Sequence, residues 1–285
     1  MIRYLPEKAL HQSIFFRTAF LFNYMEFADM SELCSSFIKQ YISYYVRLAN
    51  TLPYPKAVKT FLYDDAVAIN IARLVHLESL DLQIANKSVL EVGSGIGLLT
   101  KFFEDKNCNI ISTEGRLENI QVNLAAHPHR HNRVIRCDLT EPHSHDFIGS
   151  VDIVFCYGTL YHVYNPEVVI KDLARVTKDM LLIETCVFWM DNGQINPDTE
   201  DVRTINQAIC ATGCRPGRDW VFFSLKEYFP YVYVTATQPE HRDFAMSWPA
   251  PNDGNLKRSI FIASRNSISA PLLLDFLPEK QKKNV

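Results

Sequence analysis

V-L-E-V-G-S-G-I-G-L-L-T, residues 89–100, is the stretch on which the fold turns. Val89, Leu90 and Val92 read as a short buried strand, Gly93, Ser94 and Gly95 as a tight turn, and residues 96–103 as the opening of a helix. Glycines at 93, 95 and 97 permit positive φ and let a ligand approach the backbone closely. A strand, a glycine turn and a helix start together build a crevice at the carboxyl edge of a parallel sheet, where open α/β sheets hold nucleotide-like ligands.

The spacing Gly93-x-Gly95-x-Gly97 differs from the G-x-G-x-x-G of the dinucleotide fingerprint, so the turn is less committed to a pyrophosphate. Glu91 precedes the first glycine by two residues; an acid there suits a ligand carrying an amine or a sulfonium. Residues 109–113 read as a second strand ending in Glu114, 21 positions beyond Gly93, where a carboxylate is placed to accept from both hydroxyls of a ribose. Residues 133–137 form a third strand running into Asp138 and Leu139. The β-branched and aromatic run 151–157 forms a fourth, continued by Gly158-Thr159-Leu160-Tyr161-His162.

E-x-G-x-G-x-G at the end of a first strand resembles motif I of the class I S-adenosylmethionine-dependent methyltransferases, and residues 157–162 resemble the fourth-strand motif of the same superfamily. The resemblance covers about residues 60–265. It implies an α/β fold: a Rossmann-like, seven-stranded, mostly parallel sheet with helices on both faces and an antiparallel last strand. It also implies S-adenosyl-L-methionine as cofactor, held by Glu91, Gly93, Ser94, Gly95, Gly97, Glu114, Gly115, Leu139 and Tyr157, with Asp138 on the adenine amino group. The helix before the first strand borders the cofactor in this superfamily, which makes Tyr63, Asp64, Asp65 and Asn70 neighbours of the site. More narrowly, Y-G-T-L-Y-H, then N-P at 165–166 and L-L-I-E-T at 181–185, look like the branch acting on small molecules or sugars. A related pattern in enzymes that modify the tRNA wobble uridine keeps RNA as an alternative acceptor. A noncatalytic S-adenosylmethionine-binding protein is the alternative from another class.

Methyl transfer from a sulfonium is an in-line displacement in which alignment does most of the work, and a base helps when the acceptor is an alcohol or a protonated amine. His162 is the leading candidate, with Glu184 and His241 as alternatives. Tyr157 and Tyr161 shape the acceptor side, and Asp191 and Asn196, after the fifth strand, are candidates to bind polar groups of the acceptor. The fourth strand is not followed by the N-P-P-Y tetrad of base-amino methylation or by a Pro-Cys nucleophile, which disfavours both chemistries.

Composition agrees with one such domain carrying additions: 285 residues, 47% apolar, net charge −3. That charge, without a long basic stripe, does not favour a dedicated nucleic-acid binder. Five of the nine histidines fall within residues 127–145; with Arg130 and Arg133 between them they read as a solvated loop rather than a metal site. The seven cysteines are odd in number and scattered, as in a reduced, cytoplasmic protein, and residues 14–28 are too short and too polar to span a bilayer. The expected organisation is a helical extension over 1–55, a methyltransferase domain over 56–270 and a tail over 271–285, frayed from 278. The extension carries an apolar stripe (Phe37/Ile38, Tyr41/Ile42, Tyr45/Val46) that serves the core, a lid or a homodimer, and Asp29 with Glu32 offers it a capping box. A single helix is expected from 56 to about 80. Others are expected over about 165–176, over 200–212 ending at a Gly213 C-cap, and starting at a Ser224/Glu227 capping box.

Overall fold

The run 151–157 is buried along almost its whole length, which is what a strand covered by helices on both faces requires. The computed structural model describes residues 32–284. Its strands are β1 (Ser88–Val92), β2 (Asn109–Glu114), β3 (Val134–Arg136), β4 (Val151–Tyr157), β5 (Thr177–Val187), β6 (Pro197–Thr199), β7 (Thr212–Cys214), β8 (Tyr231–Thr235), β9 (Thr237–Gln238), β10 (Lys257–Ser264), β11 (Leu273–Leu274) and β12 (Lys282–Lys283). The helices are α1 (Glu32–Thr51), α2 (Pro55–Phe61), α3 (Asp64–Ser79), α4 (Thr100–Asp105), α5 (Leu117–Ala126), α6 (Pro166–Val176) and α7 (Arg218–Lys226).

The main sheet runs β11-β8-β10-β5-β4-β1-β2-β3. From β3 to β5 every pairing is parallel, whereas β10 is antiparallel to both β5 and β8. This is the expected seven-stranded sheet with its reversed last strand, extended at one edge by the two-residue β11. The chain leaves β1 toward β2 and β3, then returns to place β4 on the other side of β1. The carboxyl ends of β1 and β4 therefore diverge at a topological switch point, and the crevice opens there.

One face of the sheet is covered by α1, α3 and α4, the other by α6 and α7. The stripe on α1 turns inward: Ile38, Tyr41, Ile42, Tyr45 and Leu48 are buried, and Val46, expected with them, is 36% exposed. Along Glu32–Thr51 the apolar face that could have served a homodimer is thus spent on the chain's own core. Residues 14–28 and the Asp29 cap lie outside the described residues. The predicted 56–80 helix breaks at Leu62 and Tyr63 into α2 and α3.

Residues 200–212 are not a helix. Glu200 N–H donates to the Ala211 carbonyl (2.9 Å), and β6 pairs antiparallel with β7, so the segment is the loop of a hairpin. Gly213 lies inside β7 rather than capping a helix, and a Cβ there would fall 2.4 Å from the Tyr161 carbonyl oxygen. Ser224 sits within α7, not at its start. The segment expected to fray from 278 is instead stitched down. β12 pairs with β9, and the buried Gln281 amide donates to the Thr235 carbonyl (2.5 Å) and accepts from Gln238 (2.9 Å) and the Trp248 indole (3.0 Å). Among the described residues no helix is long and apolar enough to cross a membrane.

Candidate cofactor and acceptor cleft

A cleft of about 490 Å³ opens over the carboxyl ends of β1, β2 and β4, a volume ordinary for a small-molecule site. Its floor is the glycine turn. Gly93 has φ +67°, and a Cβ there would lie 2.4 Å from Thr159 Oγ1, whose hydroxyl donates to the Val92 carbonyl at 3.1 Å. The turn thus needs glycine for both its backbone and the close approach of the β4 end. Ser94 N–H donates to the Thr113 carbonyl (2.9 Å), tying the turn to β2.

Glu114 stands at the end of β2 and lines the cleft. Its carboxylate accepts from Gly95 N–H (2.8 Å), Arg116 N–H (2.9 Å) and Asn119 Nδ2 (3.3 Å), and burial raises its pKa. Cys137, Asp138 and Leu139 continue the wall; Asp138 Oδ1 accepts from the Thr140 N–H (2.9 Å) and hydroxyl (2.8 Å). Phe61, Ile69 and Asn70 face them from α2 and α3, and Tyr63 and Asp65 line the same side.

Tyr157, Tyr161 and His162 line the other end. His162 Nδ1 lies 2.5 Å from Glu200 Oε2; an ionised carboxylate only accepts, so this nitrogen carries the proton and Nε2 is the basic one. Burial lowers the His162 pKa, Glu200 opposes it, and Arg215 and Arg258 act with burial. Beside it, Arg73 Nη2 and Arg258 Nη1 donate to the two oxygens of Glu184 at 2.6 and 3.0 Å. Burial alone would raise the Glu184 carboxyl, but the two guanidinium groups hold it below its usual range.

Several expected site residues stand elsewhere. Glu91 is buried beneath the turn and does not line the cleft; its Oε2 accepts from Thr100 (2.6 Å) and Ser112 (2.9 Å), bracing α4 and β2 against β1. Gly97 is also off the cleft, making room for Arg130, which donates to its carbonyl at 2.9 Å. Glu184 reaches the cleft only through its two arginines. His241 lies behind the rim, 3.4 Å from Asp65. Asp191 is spent on an ion pair with Arg218 (2.8 Å), and Asn196 on the Arg215 carbonyl (3.0 Å) and Asn192, a turn role outside the cleft. Asp64 lies off the lining too.

The histidine-rich stretch is a solvated loop only in part: His129, His131 and His143 are exposed. His127, Arg130 and His145 are buried, His127 on the Tyr44 hydroxyl (2.9 Å) and Arg130 on Glu104 (2.7 Å). Among the described residues no group of histidine, cysteine and acidic side chains could hold a metal ion. The sequence reading missed Arg73, Arg258 and Glu200, and also the 205–209 segment that rims the cleft.

Residues 90–180 match the family model described as "Methyltransferase domain". The match marks a methyltransferase domain within that span. In fold, the chain is similar to the N-terminal domain of EvdMO1 with S-adenosylhomocysteine (SAH) bound. The two share 18% identity over 78% of this chain and 95% of that one, with a TM-score of 0.55. The structure of the same domain in the presence of SAH and D-fucose gives 19% identity over 71% and 83% of the two chains, with a TM-score of 0.52. No curated protein sequence matches the chain.

The cleft has the chemistry to hold S-adenosylmethionine, the cofactor that the motif resemblance implies. Ser94 Oγ, Asn119 Oδ1 and the Tyr157 hydroxyl are buried, border the cleft and have no hydrogen-bond partner within the chain. Buried polar groups demand partners, and a ligand bearing a diol, an amide-like base edge and a charged amino acid moiety can supply them.

Proposed function

We propose that the protein transfers the methyl group of S-adenosylmethionine to an oxygen or nitrogen of a small-molecule acceptor, a sugar or natural product, with His162 as general base. The cofactor lies along Gly93, Ser94, Gly95, Glu114, Gly115, Asp138, Leu139 and Tyr157, all of which border the cleft. Glu114 takes the ribose hydroxyls and Asp138 the adenine amino group. The sulfonium supplies an activated methyl group, so the chain's own residues have to align the acceptor, exclude water and take up one proton.

The observation that carries this reading is His162 at the cleft wall with Nδ1 held by a buried carboxylate. That bond fixes the tautomer with Nε2 basic, and the lowered pKa keeps the ring neutral at physiological pH. Tyr161 stands beside it, its ring 4.0 Å from the imidazole and its hydroxyl 3.4 Å from Arg258 Nη2, and contributes to the acceptor side. The cytoplasm is the proposed compartment.

The test uses methyl-labelled S-adenosylmethionine with parallel panels of sugars, small alcohols, amines and carboxylic acids, and of unmodified tRNA. The expected result is label on a small molecule, with kcat/KM falling on the acid side of about pH 6.5, the ordinary imidazole range. His162→Asn should abolish that limb and lower kcat while leaving SAH affinity at about pH 8 within about twofold. Label on tRNA alone would overturn the acceptor class, and an unchanged kcat in His162→Asn would overturn the base.

A further inference from the structure

Behind His162, a single carboxylate oxygen carries two hydrogen bonds that lead to different parts of the cleft. Glu200 Oε2 accepts from His162 Nδ1 at 2.5 Å and from the Ala208 N–H at 2.6 Å, and the Glu200 side chain is 1% exposed. The approach depends on Gly213, where a Cβ would lie 2.6 Å from Glu200 Oε1. Ala208 belongs to the 205–209 segment that rims the cleft. That segment is held from α5 and its entry: Asn119 Nδ2 donates to the Ile205 carbonyl (2.9 Å) and Arg116 Nη2 to those of Gln207 (3.1 Å) and Ala208 (2.9 Å). The same two residues donate to Glu114. Hydrogen bonds and the backbone of the rim segment thus link Glu114 to His162.

We propose that Glu200 is a positioning residue that couples the seating of the cofactor against the 205–209 segment to the protonation state of His162. The inference rests on the reading of His162 as the base. A hydrogen bond from Ala208 stabilises charge on the oxygen that faces the imidazole and weakens its pull on an imidazolium proton. A cofactor seated against the segment also displaces water from the cleft beside the ring. Both effects favour the neutral, basic imidazole when the cleft is filled. The other charged groups acting on His162 are Arg215, just past β7, and Arg258 on β10; both push it toward the neutral form, and Tyr161 packs on its ring. Of these groups, Glu200 alone shares a hydrogen bond with the rim segment.

Reciprocity makes the coupling measurable without a known acceptor: if a bound ligand favours neutral His162, neutral His162 must favour the ligand. The probe is SAH, titrated calorimetrically into the full chain between about pH 5.5 and 8, where imidazole titrates, with His162 followed by NMR of the ring. The parent protein should bind SAH more than about twofold more tightly at the upper end, and SAH should lower the His162 pKa. Glu200→Gln removes the charge while keeping an acceptor, and Ala208→Pro removes the N–H donor while leaving the carboxylate. Each should flatten the pH dependence to within about twofold. If Glu200→Gln fails to fold, Ala208→Pro decides. SAH binding with an unmoved His162, or an unchanged slope in the variants, overturns the coupling and leaves the cofactor assignment intact. No SAH binding at any pH overturns both.

Discussion

Glu184→Gln tests whether the acid inside β5 is a catalytic group or the counter-ion of an arginine clamp. Its side chain is 0% exposed, and Arg73 and Arg258, 8% and 7% exposed, bind one oxygen each. Removing one partner of a buried ion pair costs about 3–5 kcal/mol, because the charge left behind stays desolvated. Gln keeps the shape and one acceptor, and both arginines border a cleft that water can enter, so the lower end, about 3 kcal/mol, is expected. At roughly 2–4 °C per kcal/mol for a domain of this size, the melting temperature should fall by about 6–12 °C. The pH dependence carries a second signature. A carboxyl whose folded pKa is depressed contributes stability that is present above its unfolded value, about 4.3, and lost as the pH falls through the folded one. Stability curves from urea titrations across about pH 2–6 should therefore lose this acid limb in the variant and keep it in the parent. A variant that melts within about 2 °C of the parent, with the acid limb intact, would refute the clamp.

Gly93→Ala should cost about 2–4 kcal/mol, combining left-handed backbone strain with a Cβ set 2.4 Å from Thr159, and pairing it with Thr159→Ala should restore part of that in a double-mutant cycle. Glu114→Ala should weaken SAH binding by about 10- to 100-fold in calorimetry, the worth of hydrogen bonds to a charged group, and a change under about twofold would remove it from the cofactor site. Gln281→Ala leaves the Trp248 indole, the Gln238 amide and the Thr235 carbonyl short of partners, and should cost about 2–4 kcal/mol in urea unfolding. A surface-like loss under about 0.5 kcal/mol would show that the segment after 278 is not part of the folded unit.

What could be read from the sequence was whatever is local. A strand buried on both faces is an unbroken apolar run, and a strand-end turn is a cluster of glycines, so β1, β4, β5, β8 and β10 and the position of Glu114 at a strand end were all visible. Glu91 shows where that reading fails. In a strand buried on both sides, spacing does not say which way an acid faces. The answer lay in Thr100 and Ser112, whose hydroxyls meet the carboxylate only after β2 and α4 have docked. The pairs that shape the acceptor end are separated by still more chain: 38 residues for His162 and Glu200, 74 for Arg258 and Glu184, 111 for Arg73 and Glu184. None of these partners carries a local signature. Glu200 read as a residue of a helix, because a polar stretch ending in glycine imitates one. What puts it on His162 is the β6–β7 hairpin together with a position 213 that tolerates no side chain. The same holds for Gln281, a polar residue near a chain end whose amide is buried by contacts that no periodicity announces. Residues set by the period of their own element are legible from sequence, and residues set by a charge or hydrogen bond arriving from another element are not. In this cleft the first kind lines the floor at the glycine turn, and the second surrounds His162, the group proposed to take the proton.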